Sequence, residues 1–341
     1  MAEGISMKRI GQGLRYSLIL SVVTSLLIIL YTVDQETIDH LLYIEPLYLF
    51  LALLLSIIVW LLGGLRLYIV ARGMKEELSF FCALRVFLVG SFVSNITPFA
   101  SGGGPFQVYL LHQSGMSVGK STTLVVVQFV LRLLLFGLLG PLFYLFYPGI
   151  IGAAPLPTRI IDLGVLMGFL LSLIMLLVIY YPQLIRWLVT LSFRLPLIRG
   201  LTNNRRIRSL IAEVIRETTV FKRSMLLLVR REQGLLLLVT LATVLFWVLF
   251  FSIPPVLMMG LGRQPRYQES LIIQTIFYLI LNYIPTPGGS GFAELGFASL
   301  FSLFIPPSMV GILTFVWRFL TYYLLLLVGG LLSLKLLITS E

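Results

Sequence analysis

Asn95-Ile-Thr-Pro98-Phe-Ala-Ser-Gly102-Gly-Gly104-Pro-Phe-Gln107 and Asn282-Tyr-Ile-Pro285-Thr-Pro-Gly-Gly289-Ser-Gly291-Phe-Ala-Glu294 each break a run of apolar residues with a cluster of prolines and glycines. In both, Asn is followed by Pro at +3, Gly at +7, Gly at +9 and an amide or carboxylate at +12, with 187 residues from Asn95 to Asn282. An arginine then falls inside the next apolar run: Arg132, 25 residues after Gln107, and Arg318, 24 after Glu294. Six positions matched over that distance are read as an internal repeat.

Working outward, apolar runs flank both breaks. Spanning candidates fall at 14–33, 47–71, 120–147, 161–181, 234–260 and 308–335, each near the length of about 20 residues that crosses a bilayer. The broken stretches 79–115 and 268–304 differ, because their second arms, Pro105–Gly115 and Gly291–Phe304, are too short. At a rise of about 1.5 Å per residue they cannot cross a hydrocarbon core of about 30 Å. They are read as the returning arms of re-entrant hairpins. Such irregular backbone at membrane depth must be buried in protein or face a watery cavity. Glycine permits the tight turn and proline removes a donor that would need a partner. A short helix starting at Gly104–Phe106 or Gly291–Ala293 would aim unpaired N–H groups into such a cavity, where an anion could bind. Pro/Gly breaks also serve close helix packing, but two matched breaks point to a transport site.

Composition agrees. Hydrophobic residues make up 58% of 341 positions, charged residues 11%, and the mean hydropathy is +1.01. A soluble domain carries about 25% charged residues. The net charge of +11 sits in short loops between apolar runs, which fits cytoplasmic loops beside anionic lipid and not nucleic-acid binding. The single cysteine, Cys82, excludes an intrachain disulfide. The run from Leu14 to Val33 exceeds a signal-peptide core and is expected to be a retained first helix.

Charge counting gives a topology. Lys8, Arg9 and Arg15 place the N-terminus in the cytoplasm, and the acidic loop with Asp34, Glu36, Asp39 and Glu45 lies outside. If 79–115 enters and leaves on one side, the basic stretch 183–231 is cytoplasmic, and the C-terminus after Lys335 is too. Arg159, Arg263 and Arg266 fall outside as exceptions. The first loop then enters from the cytoplasm and the second from the opposite side, which makes 44–150 and 234–338 inverted repeats. The expected fold is therefore all-α: a polytopic transmembrane helical bundle with two inverted repeats, each containing a re-entrant broken-helix hairpin, in one integral membrane domain over 1–341. Such halves meeting near the midplane are a recurring plan in secondary transporters. Within 205–228, Ile207, Leu210, Ile211, Val214, Thr218, Phe221, Met225 and Leu228 recur at helical spacing opposite Arg and Lys. That pattern suits either an interfacial helix or a basic loop with helical character.

The residues Asn95-Ile-Thr-Pro-Phe-Ala-Ser-Gly-Gly and Pro285-Thr-Pro-Gly-Gly-Ser-Gly, with Glu294 following, resemble the lysylphosphatidylglycerol synthase transmembrane-region family, the flippase-like domain proteins. The similarity extends over about 10–335. The resemblance implies an inner-membrane protein that moves or supplies lipids, sometimes fused to a soluble aminoacyl transferase. The cytoplasmic segment of about 50 residues at 183–231 leaves no room for such a transferase, so lipid aminoacylation is not expected.

Glu294 is the acid placed at membrane depth, where a carboxylate must be paired, hydrated or protonated. Either it forms a structural pair with Arg318, or Arg132 and Arg318 hold a lipid phosphate while Glu294 acts as a proton switch. Gln107 can exchange hydrogen bonds but cannot titrate. Arg66 is expected to snorkel at the cytoplasmic end of its helix, and His112 near the inner interface is a weaker relay candidate. His40 carries no signal. No metal-ligand spacing, nucleophile–base pair or cofactor motif is seen, and Gly102-Gly-Gly104 lacks the Gly-Lys-Ser/Thr of a nucleotide loop.

The expected function is a lipid translocator of the cytoplasmic membrane that moves a polar, anionic head group by alternating access without ATP hydrolysis. The head group would be held by Asn95, Pro98, Gly102, Gly104, Gln107, Arg132, Asn282, Pro285, Gly289, Gly291, Glu294 and Arg318. A membrane-embedded enzyme acting on a lipid head group and a transporter of a small soluble anion are the alternatives. Membrane lipid is the expected partner, nucleic acid is not, and a homo-oligomer is compatible with the sequence.

Overall fold

The computed structural model describes residues 44–153, 157–180 and 205–338. The expected first helix at 14–33, His40 and the part 183–204 of the basic stretch 183–231 lie outside the described residues. The elements run α1 (Pro46–Gly73), α2 (Phe80–Ile96), a 3-10 turn (Pro98–Ala100), α3 (Gly103–Gln113), α4 (Val118–Phe146), α5 (Pro148–Gly152) and α6 (Thr158–Tyr180). After the gap come α7 (Arg205–Arg230), α8 (Gln233–Gly260), α9 (Tyr267–Leu281), a second 3-10 turn (Pro287–Gly289) and α10 (Phe292–Phe301). The last span is α11 (Pro307–Arg318), a π-helical turn (Phe319–Tyr323) and α12 (Leu324–Ile338). Among the described residues there is no strand.

Local chemistry sets these boundaries. Pro46 stands in the first turn of α1, where its missing N–H costs nothing. Ser79 caps α2 by accepting from the Cys82 amide at 3.2 Å, and Ser117 caps α4 from the Lys120 amide at 3.4 Å. Glu217 of α7 accepts from the Gly119 amide at 2.5 Å, placing a carboxylate at the positive end of α4. Beside it Lys120 pairs with Glu76. In α8, Pro255 removes the donor that would bond the Phe251 carbonyl, and Gln274 of α9 supplies one instead at 2.8 Å.

Among the described residues, five helical spans are long and apolar enough to cross a membrane: Pro46–Gly73, Val118–Phe146, Thr158–Leu177, Gln233–Gly260 and Pro307–Leu336. Only 28 to 39% of the most apolar window of each is buried within the chain. Leu237, Leu327 and Leu331 are each 61% exposed, and such faces are tenable against lipid but not against water. The protein is a helical membrane protein. Its centre is built by α1 packing on α8 and α2, with α2 also packed on α12. Small residues allow this closeness: a Cβ on Gly64 would lie 2.7 Å from Leu84 Cα. On the far side Trp317, fully buried, stacks on Phe297 with centroids 3.9 Å apart.

Candidate functional site

The two 3-10 turns pack directly against each other, so the two chain breaks meet. Each starts from an extended threonine, Thr97 (φ −112, ψ 142) or Thr286 (φ −88, ψ 146), followed by proline. Two left-handed residues come next: Phe99 (φ 55) and Ala100 (φ 52) in the first, Gly288 (φ 60) and Gly289 (φ 65) in the second. The geometry therefore equates Thr97-Pro-Phe-Ala-Ser-Gly102 with Thr286-Pro-Gly-Gly-Ser-Gly291, a spacing of 189 residues between Thr97 and Thr286. This corrects the 187-residue register. Pro98 corresponds to Pro287, not Pro285, and Gln107 is not the geometric counterpart of Glu294. Runs of consecutive glycines match in several registers, whereas an extended Thr, a Pro and two left-handed residues fit in one.

The second break is latched. Arg318 Nε donates to Glu294 Oε1 at 2.8 Å, and its Nη2 donates to the Gly288 carbonyl at 2.8 Å. Its guanidinium lies 3.8 Å from the centroid of the Tyr322 ring. Glu294 Oε2 accepts from the Gly291 amide at 2.7 Å, capping α10 from within its first turn. Glu294 is 0% and Arg318 4% exposed, so this is a buried ion pair holding both ends of the loop. The N-terminus of α10, expected to aim its amides at a ligand, is closed by its own carboxylate. The π-helical turn starts one residue after Arg318 and brings Tyr322 under the loop, where a Cβ on Gly288 would also meet the Asn95 carbonyl at 3.0 Å.

At the first break a neutral side chain, that of Thr97, ties the turn together. Thr97 Oγ1 accepts from the Gly102 amide at 3.0 Å and donates to the Val93 carbonyl at 2.9 Å. Gly103, Gly104 and Pro105 at the start of α3 line a cavity of about 1000 Å³ between the two breaks. Of the residues expected in the site, Asn95, Gly104, Gln107, Arg132, Asn282, Gly289 and Arg318 line this cavity. Pro98, Gly102, Pro285, Gly291 and Glu294 do not. Asn282 Nδ2 donates to the Tyr278 carbonyl at 2.6 Å, so part of its capacity ends its own helix. His112 Nδ1 donates to the Met116 carbonyl at 2.8 Å and closes α3 away from the cavity.

Three residues outside the expected site complete the wall. Arg66 does not snorkel: it is 4% exposed, lines the cavity, and its Nε has no protein partner. Gln128 Nε2 and Trp247 Nε1, also in the lining residues, are likewise buried without a protein partner. The Arg66 guanidinium lies 5.0 Å from the Phe246 ring centroid, and that of Arg132 lies 5.5 Å from Phe129. Among the described residues neither arginine forms an ion pair, and no Asp or Glu lines the cavity. A desolvated cation–π contact contributes about 2 kcal/mol, less than the several kcal/mol that removing an ion from water costs. The cavity is thus electropositive and under-compensated. Its aromatic wall continues through Phe136, Phe246, Trp247, Phe250 and Tyr278.

The comparisons with known proteins fit a membrane protein of this construction. The chain is 27% identical over 315 residues to a UPF0104 membrane protein from Archaeoglobus fulgidus, covering 92% of this chain and 94% of the relative. No solved structure matches it. The profile of the lysylphosphatidylglycerol synthase TM region matches residues 18–329, and the chain belongs to that family.

Proposed function

We propose that the protein is a lipid translocator of the cytoplasmic membrane that carries an anionic head group through the cavity between the two breaks. The observation that carries this reading is a cavity of about 1000 Å³ that joins arginines without carboxylate partners to an aromatic wall. A soluble anion needs only the first feature. An amphiphile uses both, its phosphate at the guanidinium groups and its first methylenes on the rings.

In this reading the breaks belong to inverted, re-entrant halves, both termini are cytoplasmic, and rocking of one half against the other exposes the cavity to each leaflet in turn. No ATP is hydrolysed and no bond is made or broken; movement is passive or coupled to an ion gradient. Glu294, bonded through both oxygens and behind the cavity wall, is assigned as a latch and not as a proton switch. Arg132 is assigned to the head group.

The test is head-group crossing of labelled phospholipids in liposomes holding purified protein, with Arg132→Gln beside wild type. Faster crossing with wild type, and at least about tenfold slower crossing with the folded variant, supports translocation, because a lost charge-assisted contact is worth about that factor. Crossing no faster than in empty liposomes, with and without a proton gradient, removes the reading.

A further inference from the structure

We propose that the cavity contains a built site for a doubly charged phosphate, a phosphomonoester or diphosphate group, formed by Arg66, Arg132, Gln128 and Trp247. Three helices converge there: α1 brings Arg66, α4 brings Gln128 and Arg132, and α8 brings Trp247. Gln128 and Arg132 stand four residues apart and so share one face of α4. Arg66 Nε, Gln128 Nε2 and Trp247 Nε1 are all donors, all buried, and all without a protein acceptor. Arginine and indole nitrogens donate only. What satisfies this cluster must therefore present acceptors to all three donors.

Charge narrows the class further. Two guanidinium groups line the site, and no carboxylate lines the cavity among the described residues. A phosphodiester head group carries one negative charge and leaves one arginine uncompensated. A phosphomonoester or a diphosphate carries about two and offers several oxygens for bidentate contacts. Arg318 also lines the cavity, but its Nε and Nη2 are engaged by Glu294 and the Gly288 carbonyl. The primary anchors are thus Arg66 and Arg132. This inference rests on the proposed function only in taking the phosphate to belong to a lipid.

The experiment measures binding, not transport. Purified full-length protein in detergent is titrated with phosphatidic acid and with phosphatidylglycerol of the same acyl chains, and separately with inorganic phosphate and pyrophosphate. Native mass spectrometry reads retention and thermal unfolding reads the shift. Phosphatidic acid is expected to bind at least about tenfold tighter than phosphatidylglycerol. Arg66→Gln and Arg132→Gln should each abolish that preference, and Trp247→Phe, which keeps the aromatic wall, should reduce it several-fold. If Arg66→Gln fails to fold, the other two variants carry the test. Pyrophosphate or phosphate binding that the variants remove, without a preference for phosphatidic acid, keeps the site and assigns it to a soluble anion. Equal binding of both lipids, with no soluble anion bound, overturns the site. Selective phosphatidic acid binding without head-group crossing removes the translocator and leaves the site; crossing without selectivity does the reverse.

Discussion

The two chain breaks share one backbone course and differ in almost everything chemical. Thr97-Pro98 and Thr286-Pro287 start the same turn, and two left-handed residues follow in each. In the second break these are Gly288 and Gly289, which adopt such angles without steric cost, and a buried ion pair grips the loop. In the first they are Phe99 and Ala100, which do not, and the neutral Thr97 side chain ties the turn together. Ser290 is 1% exposed and bonded to Arg318 at 3.4 Å, while its counterpart Ser101 is exposed and lines the cavity. The difference teaches that a repeated turn can divide labour: one copy is a fixed abutment and the other a strained surface facing the cavity.

The largest expected effect comes from breaking the abutment. Arg318→Ala or Glu294→Gln should lower stability by about 3 to 5 kcal/mol, since each leaves a buried partner without its countercharge. Thermal unfolding in detergent reads this, and Glu294→Leu combined with Arg318→Met should recover much of the loss. Next is Gly288→Ala, expected to cost about 2 kcal/mol, because its φ is 60° and a Cβ would press on Tyr322 and the Asn95 carbonyl. The same assay on Ala100→Gly should show the opposite sign, a gain of about 0.5 to 1 kcal/mol, as glycine relieves the left-handed strain at φ 52°. A loss there would mean that the first turn is not strained and that the contrast is false. Smallest in stability is Arg132→Gln, which should leave unfolding within about 0.5 kcal/mol of wild type or raise it, since no carboxylate loses a partner among the described residues.

Much of this was legible in the residues. The apolar runs 47–71, 120–147, 161–181, 234–260 and 308–335 became helical spans with ends shifted by a few residues, because uninterrupted apolar length admits few other structures. One span, 308–335, carries a π-helical turn at Phe319–Tyr323 that leaves no mark in composition. The Glu294–Arg318 pair was legible because a lone carboxylate at membrane depth needs a cation. The register of the breaks was not, since glycine runs match in several phases and the left-handed residues of the first turn are Phe99 and Ala100, which no glycine signal marks. Arg66 was misread because it lies seven residues before Gly73, within reach of a helix end. Its neighbours Gly63 and Gly64 draw α2 close, and Phe246 covers its guanidinium, so the side chain stays inside. Trp247 and Gln128 look like ordinary span residues until the helices converge.

The division between the two breaks is tested most directly by paired cysteines. Ser101→Cys and Ser290→Cys, each in a Cys82→Ser background, would be treated with a hydrophilic maleimide in detergent and the labelling rates compared. The account predicts that Ser101→Cys reacts at least about tenfold faster, because thiol reactivity follows exposure, and that phosphatidic acid slows it. Equal rates at the two positions would contradict it, since the second break would then be as open to the cavity as the first.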